Sequence, residues 1–158
     1  MDPVDRDRFR GACSRYATGI TILTVVDTQG APRGMTANSF TSVSLDPPLV
    51  LACVDHSAAI LAHFRSSGFM GINVLNETQR HLSMHFARAG EDRFGEVEWY
   101  AGRTGVPLLP DALATLECSI VNAVDAGDHD ILIGEVLQAG FREGKPLLYF
   151  DRAYRAIG

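Results

Sequence analysis

Three groups of residues have types and spacing suited to chemistry. The first is a run of small polar side chains, with Thr36, Asn38, Ser39, Thr41, Ser42 and Ser44 crowded into nine positions. A half-buried strand would alternate bulky apolar and polar residues there. Pro47 and Pro48 then break the chain, and an apolar run from Leu49 to Val54 follows. Small side chains let a flat ligand approach the backbone, where hydroxyls, amides and main-chain N–H groups can bond to it, so this surface suits a polar, planar, phosphate-bearing molecule. The second group is Asp55-His56-Ser57, ahead of a predicted helix, with Arg88 closing the next helix. A helix N-terminus presents unpaired N–H groups and partial positive charge, which attract phosphate. Read alone, Ser57 is more simply an ordinary N-cap and Arg88 a charge complementing a helix dipole. The third group, Gly127-Asp128-His129-Asp130, reads either as a hairpin turn or as a histidine flanked by carboxylates at a redox or acid–base site.

Other constellations carry less. His81 and His85 share a helix face at i, i+4, but Leu82 stands where a metalloprotease helix needs Glu, and no third ligand is evident; no metal is expected. Cys13, Cys53 and Cys118 are widely spaced and form no CxxC pair, which excludes a zinc ribbon or dithiol motif. No GxGxxG follows a strand, and Gly140–Lys145 (GFREGK) has the wrong glycine spacing for a P-loop and runs into Pro146.

These groups need elements to position them. Residues 5–17 read as a helix with Phe9, Cys13 and Tyr16 on one face. Strands are expected at 20–26, 34–44, 48–54 and 69–75. Ser57 N-caps a helix ending at Arg65, and an Asn76/Gln79 capping box opens a helix from Glu77 to Ala89 with Leu82 and Phe86 inward. Residues 90–110 read as loop. Leu116, Cys118 and Ile120 alternate with Thr115, Glu117 and Ser119 as a half-buried strand, which forms an antiparallel hairpin with 131–139; a last short strand spans 146–150. So many strands with about three helices exclude regular βαβ alternation and favour a mainly antiparallel barrel with helices outside.

Length and charge set the bounds. The 158 residues fit a single domain over 1–158, and a net charge of −5 argues against nucleic acid as the main partner. No apolar run approaches a membrane span, and the charged MDPVDRDRFR start lacks a signal-peptide core, so a cytoplasmic location is expected.

The order of ATGITILTV (17–25), GMTANSFTSVSLDPPLVLACV (34–54), a Ser-initiated helix after Asp55, FAR (86–88), GDHDILIGEV (127–136) and PLLYFDRAYRAI (146–157) resembles the short-chain flavin reductases that serve two-component flavin-dependent monooxygenases. The resemblance covers nearly the whole chain. It implies a split β-barrel of the FMN-binding type, a homodimer, and FMN or FAD held without a Rossmann fingerprint. By position it implies that Thr36, Ala37, Asn38, Ser39 and Ser42 meet the isoalloxazine and ribityl groups. Cys53, Val54 and Asp55 would form the adjoining strand edge, and Ser57, Ala58, Phe86, Ala87 and Arg88 the phosphate end. Phe94 matches a family aromatic. His129 and Tyr154 resemble the residues that face NADH or NADPH. The implied reaction is hydride transfer from nicotinamide C4 to flavin N5, with His129 positioning the nicotinamide or supplying a proton and no essential nucleophile. Reduced flavin would pass to a partner monooxygenase. The alternative is a flavin-binding electron carrier on the same barrel without pyridine-nucleotide activity.

Overall fold

The computed structural model describes residues 2–157 apart from 89, 91 and 92. Helix α1 (Arg6–Cys13) opens on Asp5, whose carboxylate accepts the N–H groups of Asp7 and Arg8. Strands β1 (Thr18–Gly19), β2 (Thr21–Val26), β3 (Pro32–Ala37), β4 (Thr41–Leu45) and β5 (Pro48–Asp55) follow, then helix α2 (Ile60–Ser67) and β6 (Phe69–Val74). A 3-10 turn (Glu77–Gln79) leads into α3 (Arg80–Phe86), and β7 (Tyr100–Ala101), β8 (Pro107–Leu108), β9 (Ala114–Ala126), β10 (His129–Phe141), β11 (Leu148–Phe150) and β12 (Ala153–Arg155) complete the order.

Seven strands form one antiparallel sheet in the order β3-β2-β6-β9-β10-β5-β4. Strands β3 and β4 are adjacent in sequence but lie at opposite edges, joined only by residues 38–40. Four Cα steps reach at most about 15 Å, so the edges must approach each other and the sheet must curl. The core shows the same curl. Leu23 and Val25, Ala37, Val50, Ala52 and Val54, Met70 and Ile72, Cys118 and Leu132 come from six strands and converge on one cluster, closed by Ile60, Leu61 and Phe64 of α2. A second cluster on the other side of β2 joins Ile20, Ile22, Leu75, Phe86, Phe94, Leu109 and Leu147, with α3 lying over it. Residues 21–25 are buried on both faces, which explains their unbroken β-branched and apolar run. The expected mainly antiparallel barrel with flanking helices is thereby met.

Several local expectations are corrected. Helix α1 is shorter than 5–17 and buries nothing: Phe9 and Tyr16 are 58% and 78% exposed, and Cys13 is exposed. Periodicity marked an amphipathic face, but among the described residues no element covers it. The strand over 34–44 is two strands, because its ends pair with different neighbours, β2 and β5. Residues 90–110 hold the β7–β8 pair, and β12 was not expected. The last helix is a 3-10 turn plus α3 ending at Phe86, with the Asn76/Gln79 capping box present; the expected end at Ala89 lies outside the described residues. The hairpin is longer than expected, with thirteen residues in each strand and Gly127 at φ +73 in its tight turn. Glu117, expected outward, is buried. Its carboxylate accepts Arg103 N (3.1 Å), Thr104 N (2.7 Å) and Thr104 Oγ1 (2.7 Å). Burial raises its pKa, but these bonds outweigh that and the net shift is downward.

Candidate functional site

Three adjoining cavities form one groove across the β3 edge. The middle one, about 240 Å³, lies among Thr36, Ala37 and Asn38 of the hydroxyl-rich run, Ile20, Ser83 and Ala87 of the α3 region, and Tyr149 and Tyr154 of the β11–β12 hairpin. Its walls are tied together. Thr36 Oγ1 donates to Ser83 O (2.6 Å), and Ser83 Oγ shares a hydrogen bond with Tyr154 OH (2.8 Å). The Tyr154 ring meets Tyr149 edge-on at 5.6 Å and sits 5.0 Å from the Arg80 guanidinium. Asn38 is exposed at the rim, and among the described residues its side-chain amide has no partner. A flat molecule entering here meets small side chains on one side and aromatic edges on the other.

Thr36 and Ala87 also line the second cavity, about 390 Å³, with Ala58, Ala59, Ile60, His63, Arg33, Arg88 and Arg93. Helix α2 points its N-terminus into it, and the N-cap, Ala59, makes no side-chain cap bond. The Leu61 N–H donates to Ala58 O (3.0 Å), and no side chain caps the other first-turn N–H groups, an arrangement that suits an anion. Ser57 is not the N-cap expected from sequence. Its N–H and Oγ both donate to Asp55 Oδ1 (2.7 Å each), which holds it in a turn ahead of the helix, and it does not line the cavity. Arg33 is already paired with Asp27 (2.8 Å). Arg88 is exposed, with no carboxylate partner among the described residues. Arg93 Nη1 donates to Gly34 O (2.9 Å) and Phe86 O (2.8 Å), whereas its Nε is buried with no partner among the described residues. Burial lowers the Arg93 pKa from its ordinary value. A helix N-terminus, the Arg88 guanidinium and the Arg93 Nε donor in one cavity fit a phosphate.

The aromatic wall behind this cavity is packed tightly. Phe86 and Phe94 meet edge-on at 4.9 Å, and a Cβ on Gly34 would lie 2.8 Å from the Phe86 ring. Phe94, expected at the site, is 5% exposed and supports Phe86 from within the core.

The third cavity, about 590 Å³, continues from Asn38 and Tyr149 into a cleft between α1 and the β11–β12 hairpin. Sequence reasoning missed this cleft, together with Ser83, Tyr149, Arg93 and His63. Ser83 had a usable signal, since it shares the buried helix face of Phe86 at i, i+3.

The other expected residues sit along β5 and the β9–β10 turn and line none of these three cavities. Ser39 Oγ accepts Cys53 N (2.9 Å) and donates to Cys53 O (3.1 Å), so its hydroxyl is committed to closing the β5 edge. Val54 is fully buried, Cys53 is half-buried with its thiol pKa raised by burial, and Ser42 is exposed on β4 opposite Val50. Asp55 pairs in register with His129. Hydrogen bonds from Ser57 lower the Asp55 pKa, helped by His129 and His56. His129 Nδ1 lies 2.6 Å from Asp128 Oδ1, and this bond lowers the Asp128 pKa. Of the i, i+4 histidines, His85 Nε2 donates to Arg93 O (2.6 Å) and His81 Nδ1 to Thr78 O (3.2 Å).

Comparison with known proteins gives a consistent picture. Residues 13–158 match the family model described as flavin reductase like domain. A probable flavin reductase of Rhizobium meliloti is 49% identical over 84% of this chain, which spans only 42% of that relative's length. The FMN reductase (NADH) SmoA of Agrobacterium fabrum is 43% identical over 92% of this chain and 83% of its own. The crystal structure of the Streptomyces globisporus NADH:FAD oxidoreductase SgcE6 in complex with NAD and FAD fragments superposes with a TM-score of 0.93. It shares 39% identity over 100% of this chain and 96% of that one.

Proposed function

The chain belongs to the flavin reductase-like domain family, and from that premise we propose that it is an NAD(P)H:flavin oxidoreductase, reducing FMN or FAD and supplying the product to a partner monooxygenase. The observation that carries this reading is the continuous groove with chemically different ends. An anion seat at Arg88 and the α2 N-terminus leads to a flat waist at Thr36–Asn38, faced by Tyr149 and Tyr154.

The bound flavin supplies the hydride-accepting chemistry and the nicotinamide supplies the hydride. The protein's part is to bind, orient and exclude water. Arg88 and the α2 N-terminus would hold the flavin phosphate. Thr36, Ala37 and Asn38 present main-chain and amide groups to the ring edge. Such preorganised donors would stabilise negative charge at the edge of a bound flavin. Tyr154, held by Ser83, forms the facing wall and limits the nicotinamide to a stacked approach. His129 is assigned to nicotinamide positioning, its Nδ1 proton held by Asp128. The Cys53–Asp55 edge, Ser39 and Ser42 are assigned to the flavin side of the proposal from the family resemblance.

Homodimer formation belongs to the same reading. Val43 and Leu45 on edge strand β4 and Val121 and Val124 on the β9–β10 hairpin are exposed apolar side chains, Leu45 at 96%. No helix of the described residues is long and apolar enough to cross a membrane, and a cytoplasmic site of action is part of the proposal.

One observation favours a second reading, an electron carrier without pyridine-nucleotide activity: His129 lines none of the three cavities. Stopped-flow absorbance separates the two. The reductase reading expects flavin bleaching on addition of NADH or NADPH; flavin binding without bleaching supports the carrier, and failure to bind FMN and FAD defeats both.

A further inference from the structure

A fourth cavity, about 510 Å³, adjoins the anion seat and has no role in the reading above. It lies between α3 and the segments 96–98 and 110–111. Among the described residues Arg88 alone lines both this cavity and the anion cavity, so a path from the phosphate seat past its guanidinium leads here. The charge changes sign along that path. Glu96 and Glu98 are exposed in the lining, and neither carboxylate has a hydrogen bond or ion pair among the described residues. Asp111, the third carboxylate there, is paired with Arg142 Nη1 (2.5 Å). His81 and His85 complete the charged and titratable lining, each with one ring nitrogen on a main-chain carbonyl, at Thr78 and Arg93. Two uncompensated carboxylates therefore stand behind the guanidinium of the seat.

FMN and FAD differ at this junction. FMN ends in a phosphate monoester, which carries about −1.5 to −2 charges at neutral pH, all of them at the seat. In FAD the same phosphate is part of a diphosphate diester. It keeps one charge at the seat, and the second charge sits on the next phosphate, with adenosine beyond it. A chain leaving the seat past Arg88 carries that second charge towards Glu96 and Glu98, where like charges repel. Resting on the reductase reading, we propose that the chain selects FMN over FAD, with Glu96 and Glu98 as the specificity-determining residues that reject the second phosphate. The seat and the waist are common to both flavins, so the selection comes from repulsion beyond the seat and from the fuller charge of the monoester on Arg88.

Both carboxylates face solvent, so the selection is modest and is weakened by salt. Fluorescence titration at an ionic strength of about 10 mM should give an FMN Kd roughly three- to tenfold below the FAD Kd, and the ratio should shrink at about 0.5 M NaCl. The double variant Glu96→Gln, Glu98→Gln should tighten FAD until the two Kd values lie within about twofold, with Tm and riboflavin binding kept. Steady-state KM values for the two flavins should move in the same way. FAD bound as tightly as FMN by the wild type at low salt, or an FMN preference that the double variant keeps in full, would overturn the inference and leave the reductase reading intact. A wild-type chain that binds neither flavin removes that reading and the inference with it.

Discussion

Two charged clusters flank α2 and use their charge in opposite ways. On one side, Asp130, 2% exposed at the start of β10, accepts Arg65 Nε (3.0 Å) and Nη2 (2.6 Å) on one oxygen and contacts His56 Nε2 (2.9 Å) with the other. That cluster ties the turn before α2 and the body of the helix to the sheet. On the other side, the cavity of about 390 Å³ gathers Arg88, Arg93 and the α2 N-terminus with no carboxylate on Arg88 among the described residues. Charge neutralised within the chain positions an element, whereas charge without an internal partner is left for a ligand. Motif spacing in the sequence does not distinguish them, since both are a basic residue beside a helix.

The contrast can be broken by removing one charge on each side. The largest effect is expected for Arg88→Ala, which should weaken FMN binding about 10- to 100-fold, leave riboflavin binding unchanged and keep Tm. Fluorescence titration checks it, and equal losses for FMN and riboflavin would mean that the cavity does not read phosphate. Asp130→Ala should act in the opposite sense. Tm falls by roughly 5 °C in calorimetry while flavin reduction by the remaining folded protein persists. An unchanged Tm would show that the cluster does not hold α2. His129→Ala should raise the KM for NADH by roughly fivefold and change the flavin Kd less. Unaltered NADH kinetics would remove His129 from the site.

The smallest effect is an acid limb. The Arg65 hydrogen bond lowers the Asp130 pKa against the opposing effect of burial, and Asp27 is lowered chiefly by the Ala31 N–H and then by Arg33. Each folded-state value lies below the unfolded one of about 4, so the native state binds fewer protons. Their stabilisation is complete above about pH 4 and is lost as pH falls through the lowered values. Tm measured from pH 7 to pH 3 should be flat at first and then decline. A decline beginning near pH 6 would point to histidine instead.

Part of the groove's lining could be read before the fold was known. The small polar run lines the groove at Thr36–Asn38, and the Asn76/Gln79 capping box and the inward Phe86 place Ala87 and Arg88 in the lining of the cavity beside the α2 N-terminus. Ser57 is not the N-cap expected from the sequence, and Ser39 shows the same physical behaviour. A hydroxyl can satisfy main-chain groups of its own chain, and these two do so, at Cys53 and Asp55, a choice that depends on distances no spacing rule contains. The α1 cleft was out of reach because its two walls come from opposite ends of the chain.

By itself the sequence determined the chemistry on offer: small hydroxyl-bearing residues near a proline break, a basic residue ending a helix, turn residues at Gly127, and alternation enough for an antiparallel sheet. Local patterns of that kind follow from backbone sterics and hydrogen bonding within a few residues. Tertiary structure alone decided which polar groups were satisfied internally and which faced the groove. The curl that brings β3 and β4 together across residues 38–40 sets those distances, because long-range packing, and not local preference, brings the two edges of the sheet together.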